Sequence, residues 1–178
     1  QAIGVAAAKG SHKGVVINGI DAAIEAESSA INRFMSAGEL GALIDNRWGV
    51  VLGQTLANRL GVELGGNVDL FSTSVSINPI TPLATFKGFD VVGIYRVGAQ
   101  ELDSNLVMIN LSAARALFKL RTPYNAVHIR TVDVLQAEMV RQELMTDLPE
   151  ALRSESWVAT LGAIYENIQF SRGIISFM

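Results

Sequence analysis

Short apolar runs separated by polar or glycine-containing turns recur along this chain, and they predict β-strands. The polar stretch 9–13 predicts the turn of a hairpin between the first two runs. The strands predicted in this way span residues 3–8, 14–18, 48–52, 68–73, 89–95, 106–109 and 124–131.

Apolar residues spaced three to four positions apart predict helices in the remaining segments. A helix over 53–61 would place Leu56, Ala57 and Leu60 on one face and end at Gly61. Further helices are predicted within 21–37 with Ser28 or Ser29 as the cap, directly after 109, over 134–148 behind Asp133, and after Thr160. The mixture of helices with locally clustered strands predicts the α+β class.

Residues 74–84 differ from the rest because two prolines exclude a central strand. The segment lies between the strand near Leu70 and the strand near Phe86, which predicts a hairpin-like arm with a stiffened apolar tip. The residues predicted to contact a partner or a lipoprotein are Ile77, Pro79, Ile80, Pro82 and Leu83. The alternative is a buried connection that only packs on the sheet.

A polar segment that contains Glu101 and Asp103 is predicted as a turn between strands 89–95 and 106–109. Two carboxylates two residues apart on an extended strand share a face, as a small α+β enzyme or a metal site would require. The sequence supplies no nucleophile or ligand set to complete such a site, and His12 and His128 lie in no ligand-spaced motif. We therefore predict turn architecture, with no catalytic, metal-binding or cofactor-binding residue.

The composition narrows the possible functions further. Hydrophobic residues make up 49% of the 178 residues and charged residues 17%, which suits a folded domain with a substantial core. The net charge of −3 gives no electrostatic footprint for nucleic acid. The absence of cysteine excludes disulfides and thiolate metal sites.

The last residues, 173–178, form an apolar run that is too short to cross a bilayer. A helix docked on the core is one interpretation, and a domain cut where a transmembrane helix begins is the other. Under the second interpretation Tyr165, Phe170 and Phe177 are predicted to lie at the membrane interface, because amphipathic rings favour the headgroup level.

Four segments in this order resemble one family. They are the strand 14–21 with its ending Gly-Ile-Asp, the Gly-Glu-Leu of 38–40, the segment 53–61 with Gly-x-x-Leu-Ala-x-x-Leu-Gly, and the run 89–118. Together they resemble the periplasmic domains of the LolC/LolE family, the membrane subunits of lipoprotein-releasing ABC transporters within the MacB/FtsX-like permease group. The stretch 157–169 is more similar to the LolE type.

The resemblance implies a MacB-like periplasmic core domain in which a β-rich Sabre part is inserted into a mixed α/β porter part. Mapped onto this chain, the first porter segment is 1–47, the Sabre-like insertion is 48–120 and the second porter segment is 121–160. Residues 161–178 would form a juxtamembrane helix that leads to a transmembrane span.

The resemblance also implies a function without catalysis in this chain. A separate LolD-type ATPase would bind ATP and Mg²⁺, and the membrane subunits would pass outer-membrane lipoproteins to the periplasmic carrier LolA. The implied partners are a LolC-type or other second permease subunit, that ATPase, the carrier, lipoproteins and the membrane. The implied location is the bacterial inner membrane with the domain facing the periplasm. A LolC-type subunit that docks the carrier directly, or a MacB/FtsX-like permease with another partner, is the alternative.

Overall fold

A computed structural model describes residues 1–72, 85–120, 122, 127, 129–149 and 152–157. The chain divides into two compact units, Gln1–Ala126 and Val127–Met178. Strands and helices both contribute to the first unit, so the predicted α+β class is confirmed.

Apart from Met35–Gly38, which forms a strand where a helix within 21–37 was predicted, the strands of the first unit agree with the apolar runs of the sequence, although several are longer than predicted. In the described part of the chain they are β1 Ala2–Ala8, β2 Ser11–Ile20, β3 Met35–Gly38, β4 Gly49–Gly53, β5 Asn67–Ser72, β6 Phe86–Tyr95 and β7 Leu106–Asn110. The helices of this unit are α1 Ala22–Ser28, α2 Ala42–Asp45, α3 Gln54–Leu60, α4 Gln100–Asn105 and α5 Leu111–Phe118, with a 3₁₀ turn over Ala30–Phe34.

The sheet closes on itself. Its strand order is β3-β6-β4-β7-β2-β1-β5, and an additional antiparallel pairing joins β5 to β6. Six strands therefore form a closed barrel, and β3 pairs with the C-terminal half of β6. Closure removes most of the edge that an open sheet would expose. Within the described residues, unpaired edge remains on β3 and on the first halves of β2 and β6, because β7 pairs with β2 only from Val16 and β4 pairs with β6 only from Asp90.

The barrel interior holds the main core. Alternate residues of the strands point inward and meet apolar side chains of α3 and α5, as in small barrels filled by side chains. Gly19 of β2 lies so close to Ala114 of α5 that a Cβ there would collide with the Ala114 side chain. A second apolar cluster lies on the opposite face of the sheet and includes Leu43 of α2 and the buried ring of Tyr95.

Local signals in the sequence explain several boundaries. Gly61 adopts a left-handed conformation with φ 66° and ends α3, as predicted. Ser29 accepts from the Ile31 amide, so it caps the 3₁₀ turn rather than a longer helix. Asp21 caps α1 through the amides of Ala23 and Ile24, a role that the sequence analysis did not assign.

The division of the chain into porter and Sabre parts stays a prediction, and the structure shows how strands pair across position 48. β1 and β2, from segment 1–47, pair with β5 and β7, from segment 48–120. Residues on both sides of position 48 therefore share one closed barrel, and the division into compact units falls after Ala126.

The second unit contains a 3₁₀ turn, Val134–Gln136, and the helix α6, Ala137–Asp147, which together follow the predicted helix over 134–148. Val127 and residues 129–131 lie in no strand, so the predicted strand 124–131 is wrong in its described part. The physical reason is that these residues have no strand to pair with in the part of the chain that the structure describes. The remaining residues of that segment lie outside the described residues.

Residues 152–157 are tied to α6 through polar contacts. Arg141 forms an ion pair with Glu138 at 2.6 Å, and the Ser156 hydroxyl donates to the Glu138 carboxylate at 2.5 Å. The Trp157 indole N–H donates to the Val134 carbonyl at 2.8 Å. The Arg141 hydrogen bonds, followed by that of Ser156, lower the pKa of Glu138 from 4.5 to about 2.

We predict that replacing Lys9 with Asn raises the free energy of unfolding. Lys9 has φ 48° and Gly10 has φ 80°, so both positions of this hairpin turn lie in the left-handed region. Asn tolerates that region better than Lys, and the gain should be about 0.5–1 kcal/mol in urea unfolding. Lys9→Ala is the matched control, because it removes the lysine but keeps the strained conformation. An equal gain from Lys9→Ala would contradict the explanation.

We predict that the pKa of Glu138, followed by NMR of its side-chain carboxyl carbon, rises toward 4.5 in Arg141→Ala and less in Ser156→Ala. Because the folded value is depressed, the contribution of this carboxylate to stability is present above pH 4.5 and is lost as the pH falls through about 2. A titration near 4.5 in the unaltered chain would show that the contacts of Glu138 do not persist in solution.

Candidate interaction site

The predicted partner-binding residues Ile77, Pro79, Ile80, Pro82 and Leu83 lie outside the described residues, as do Tyr165, Phe170 and Phe177. The structure does describe the point where the predicted arm is attached. β5 and β6 pair as far as Ser72, whose amide donates to the Thr85 carbonyl at 2.8 Å. Segment 73–84 therefore begins and ends at neighbouring positions of two antiparallel strands.

Apolar side chains form a stripe on the outer face of the barrel beside this attachment point. Val5 of β1 is paired with Phe71 of β5, and Phe71 with Phe86 of β6, so the three side chains point to the same face. Ile3 and Val16 form the adjacent pair on β1 and β2. We call these five residues the outer stripe: Ile3, Val5, Val16, Phe71 and Phe86.

Two side chains of the outer stripe are largely exposed to solvent. Ile3 is 68% exposed and Phe86 is 60% exposed, while the other three side chains are half-buried. The rings of Phe71 and Phe86 stack at 5.3 Å between centroids with an angle of 22° between their planes. Stacked rings of this kind bury one face and leave the other available for contact.

The next row on the same face of these strands carries two polar side chains. Ala7 of β1 is paired with His12 on one side and with Asp69 on the other, and Asp69 is paired with Gly88. Asp69 and His12 are exposed. The apolar stripe is therefore bordered by a row that carries a carboxylate.

Sequence reasoning assigned the strand of Phe71 but not the role of this residue. In β5 the alternation buries Val68 and Leu70 and turns Asp69 and Phe71 outward. An aromatic residue on the polar face of an alternating strand was the available signal. Its significance depends on Val5 and Phe86, which only the strand pairing brings beside it.

The carboxylates Glu101 and Asp103 do not form a pair. They lie on helix α4 rather than on an extended turn, and residues two apart on a helix do not face each other. Asp103 is buried and accepts from the amides of Val97 at 2.8 Å and Gly98 at 2.9 Å, whereas Glu101 is exposed. The carboxylate of Asp103 thus fixes the turn before α4, in agreement with the predicted architectural role.

The phenol of Tyr95 completes this buried polar group. Its hydroxyl lies 3.0 Å from the Leu102 carbonyl and 2.9 Å from the Leu106 carbonyl, and its single proton is shared between these two acceptors. Burial raises the pKa of Tyr95 far above its ordinary value, and the charge of Asp103 raises it further. The phenol therefore stays neutral and holds the C-terminal part of α4 against β6.

A surface cleft of about 310 Å³ lies where α1 and α5 begin, and its lining includes Asp21, Asn110 and Arg115. Asp21 and Asn110 already accept from backbone amides as the caps of their helices. The two side chains therefore serve the helix starts.

His12 is exposed on β2, and His128 lies outside the described residues. Among the residues that the structure describes, no group of three or more His, Asp or Glu side chains is placed to hold a metal ion. The same part of the chain contains no helix of the length and apolarity needed to cross a bilayer.

Comparison with known proteins gives relatives of one kind. The chain is 30% identical over 149 residues to the lipoprotein-releasing system transmembrane protein LolC of Neisseria meningitidis, covering 84% of this chain and 35% of that protein. It is 21% identical to LolC of Xylella fastidiosa over 94% of this chain and 40% of that protein. It is 24% identical to the transmembrane protein LolE of Haemophilus influenzae over 92% of this chain and 39% of that protein.

The chain thus spans between 35% and 40% of the length of these relatives. Among solved structures, the extracellular domain of the ABC-type transporter YknZ from Gram-positive bacteria aligns with a TM-score of 0.49 and 13% identity. That alignment covers 81% of this chain and 73% of the other. No protein-family model matches the chain.

We predict that Asp103→Ala lowers the free energy of unfolding by about 1–3 kcal/mol, because the backbone amides of Val97 and Gly98 lose the buried carboxylate that accepts from them. Glu101→Ala, two positions away on the exposed side of α4, is the control and should change stability by less than about 0.5 kcal/mol. Urea unfolding of the two variants measures the difference. Equal effects would contradict the architectural role of Asp103.

Proposed function

We propose that this chain is the extracytoplasmic domain of a permease subunit in a lipoprotein-releasing ABC transporter of the LolC/LolE family. The observation that carries the proposal is the similarity to proteins named LolC and LolE, which extends over 84% to 94% of this chain. The transmembrane segments and the ATPase would lie outside these 178 residues. The domain would face the periplasm from the inner membrane of a bacterium.

The division of labour follows from the energetics of extraction. Each methylene group that leaves the bilayer loses about 0.8 kcal/mol of burial free energy, so releasing an acylated protein needs a coupled energy source. A LolD-type ATPase on a separate subunit would supply it and would bind the ATP and Mg²⁺. This domain would then bind partners and transmit force, without cofactors or catalysis of its own.

We place the contact with the carrier LolA, or with the lipoprotein, on the arm residues Ile77, Pro79, Ile80, Pro82 and Leu83. Two prolines restrict the arm before it binds, which lowers the entropy lost on docking. The hydrogen bond from Ser72 to Thr85 supports this placement, because it joins the two ends of the arm at the rim of a closed barrel. An arm anchored in this way would keep its position while a partner is exchanged.

The LolE type, suggested by residues 157–169, remains part of this proposal, with a LolC-type or identical subunit as its partner. Tyr165, Phe170 and Phe177 are proposed to lie at the membrane interface beside the transmembrane span. The chain is similar both to proteins named LolC and to one named LolE, and crosslinking from the arm applies to either subunit type.

We predict that Ile80→Asp weakens carrier or lipoprotein binding by about tenfold or more, because it places a charge on the apolar tip of the arm. Photo-crosslinking from the arm in the assembled transporter, together with titration of the carrier, measures the loss. The melting temperature should not change.

Ile44→Asp is the matched control, since Ile44 is also an exposed isoleucine, at 53%, and lies on α2. This variant should bind normally. Unchanged crosslinking in Ile80→Asp would remove the arm from the proposed interface.

A further inference from the structure

We infer that the outer stripe binds a short extended polypeptide segment that carries apolar side chains and a basic residue. The inference deepens the proposed function, because an extended tether of a protein cargo would be such a segment. It concerns residues of the barrel wall and not the arm. The shape of the stripe, its charged border and its area support this inference.

The shape of the stripe fits an extended chain that crosses the strands. Gly14, Val5, Phe71 and Phe86 are successive partners on β2, β1, β5 and β6. Three interstrand spacings make the row about 14 Å long, which equals about four residues of extended polypeptide. A Cβ built on Gly14 would meet no atom within 4 Å, so the stripe is open at its β2 end.

The carboxylate beside the outer stripe favours a bound segment that carries a positive charge. Asp69 lies two residues before Phe71 on β5 and points to the same face of the sheet. This spacing places its carboxylate about 7 Å from the apolar row. Its partner on β6 is Gly88, so no side chain covers the carboxylate from that strand. A lysine or arginine next to the apolar residues of the segment would reach this carboxylate.

The area of the stripe favours a short segment over a permanent partner. Two largely exposed and three half-buried side chains offer on the order of 300 Å² of apolar surface, the size of a functional patch on a monomer. A stable protein–protein interface buries about 800 Å² on each partner. An acyl chain lying on an open sheet face would keep much of its surface in water, unlike a ligand in a pocket.

The test uses the 178-residue chain and three capped pentapeptides. The first is Lys-Val-Leu-Val-Lys, the second replaces both lysines with glutamate, and the third replaces the apolar residues with serine. Chemical-shift titration should show the first peptide binding about tenfold more tightly than the other two. The largest shifts should fall on the amides of β1, β5 and β6.

Variants locate the binding. Phe86→Ser should weaken binding of the first peptide about tenfold, and Ile44→Ser is the matched control that should leave it unchanged. Asp69→Asn should remove the preference for the lysine peptide over the glutamate peptide while circular dichroism stays the same. Each of these results supports the inference.

Other outcomes overturn it. Equal affinity for the lysine and glutamate peptides, or insensitivity to Phe86→Ser, would exclude the stripe as a peptide site. Decanoate that shifts the same amides while the peptides do not would assign the stripe to alkyl chains. Self-association in sedimentation that Phe86→Ser abolishes would assign it to a second copy. The carrier is absent from all these measurements, so this inference and the arm proposal can fail independently.

Discussion

The antiparallel pairing of β5 with β6 is the constraint on which the first unit depends. Without this pairing the strands would form an open sheet. The inward side chains of β5 would then lose their contacts with β6 and would no longer be buried in the core. With this pairing, Val68 and Phe89 lie directly opposite each other and are both buried in the barrel interior. The same pairing brings the two ends of segment 73–84 together and sets Phe71 against Phe86.

Much of the barrel could be predicted from local patterns, because each strand carries its own alternation. The hairpin of β1 and β2, the helix that ends at Gly61 and the strand before α5 all follow from signals within a dozen residues. Pairings between distant strands carry no such signal. The closure and the outer stripe depend on contacts between Val5, Phe71 and Phe86, which no window of sequence contains together.

Two predictions were wrong because they, too, were made from local composition without knowledge of distant contacts. Glu101 and Asp103 sit in a polar segment flanked by strands, which is typical of a turn, yet the buried carboxylate of Asp103 organises a helix there. The apolar run near Val127 has the composition of a strand, but a strand also needs a neighbour to receive its hydrogen bonds. The predictions of the arm and of the membrane-interface residues rest on composition and resemblance alone.

The closed barrel also has a mechanical consequence. A load on segment 73–84 would pull along β5 and β6. β5 is hydrogen-bonded to β1 and to β6, and β6 is hydrogen-bonded to β5 over its first half and to β4 over its second half. Sliding either strand out would require many parallel hydrogen bonds to break together in shear, whereas a hairpin at a free sheet edge would peel open one bond at a time. The attachment of this segment is therefore stiff along the direction of β5 and β6.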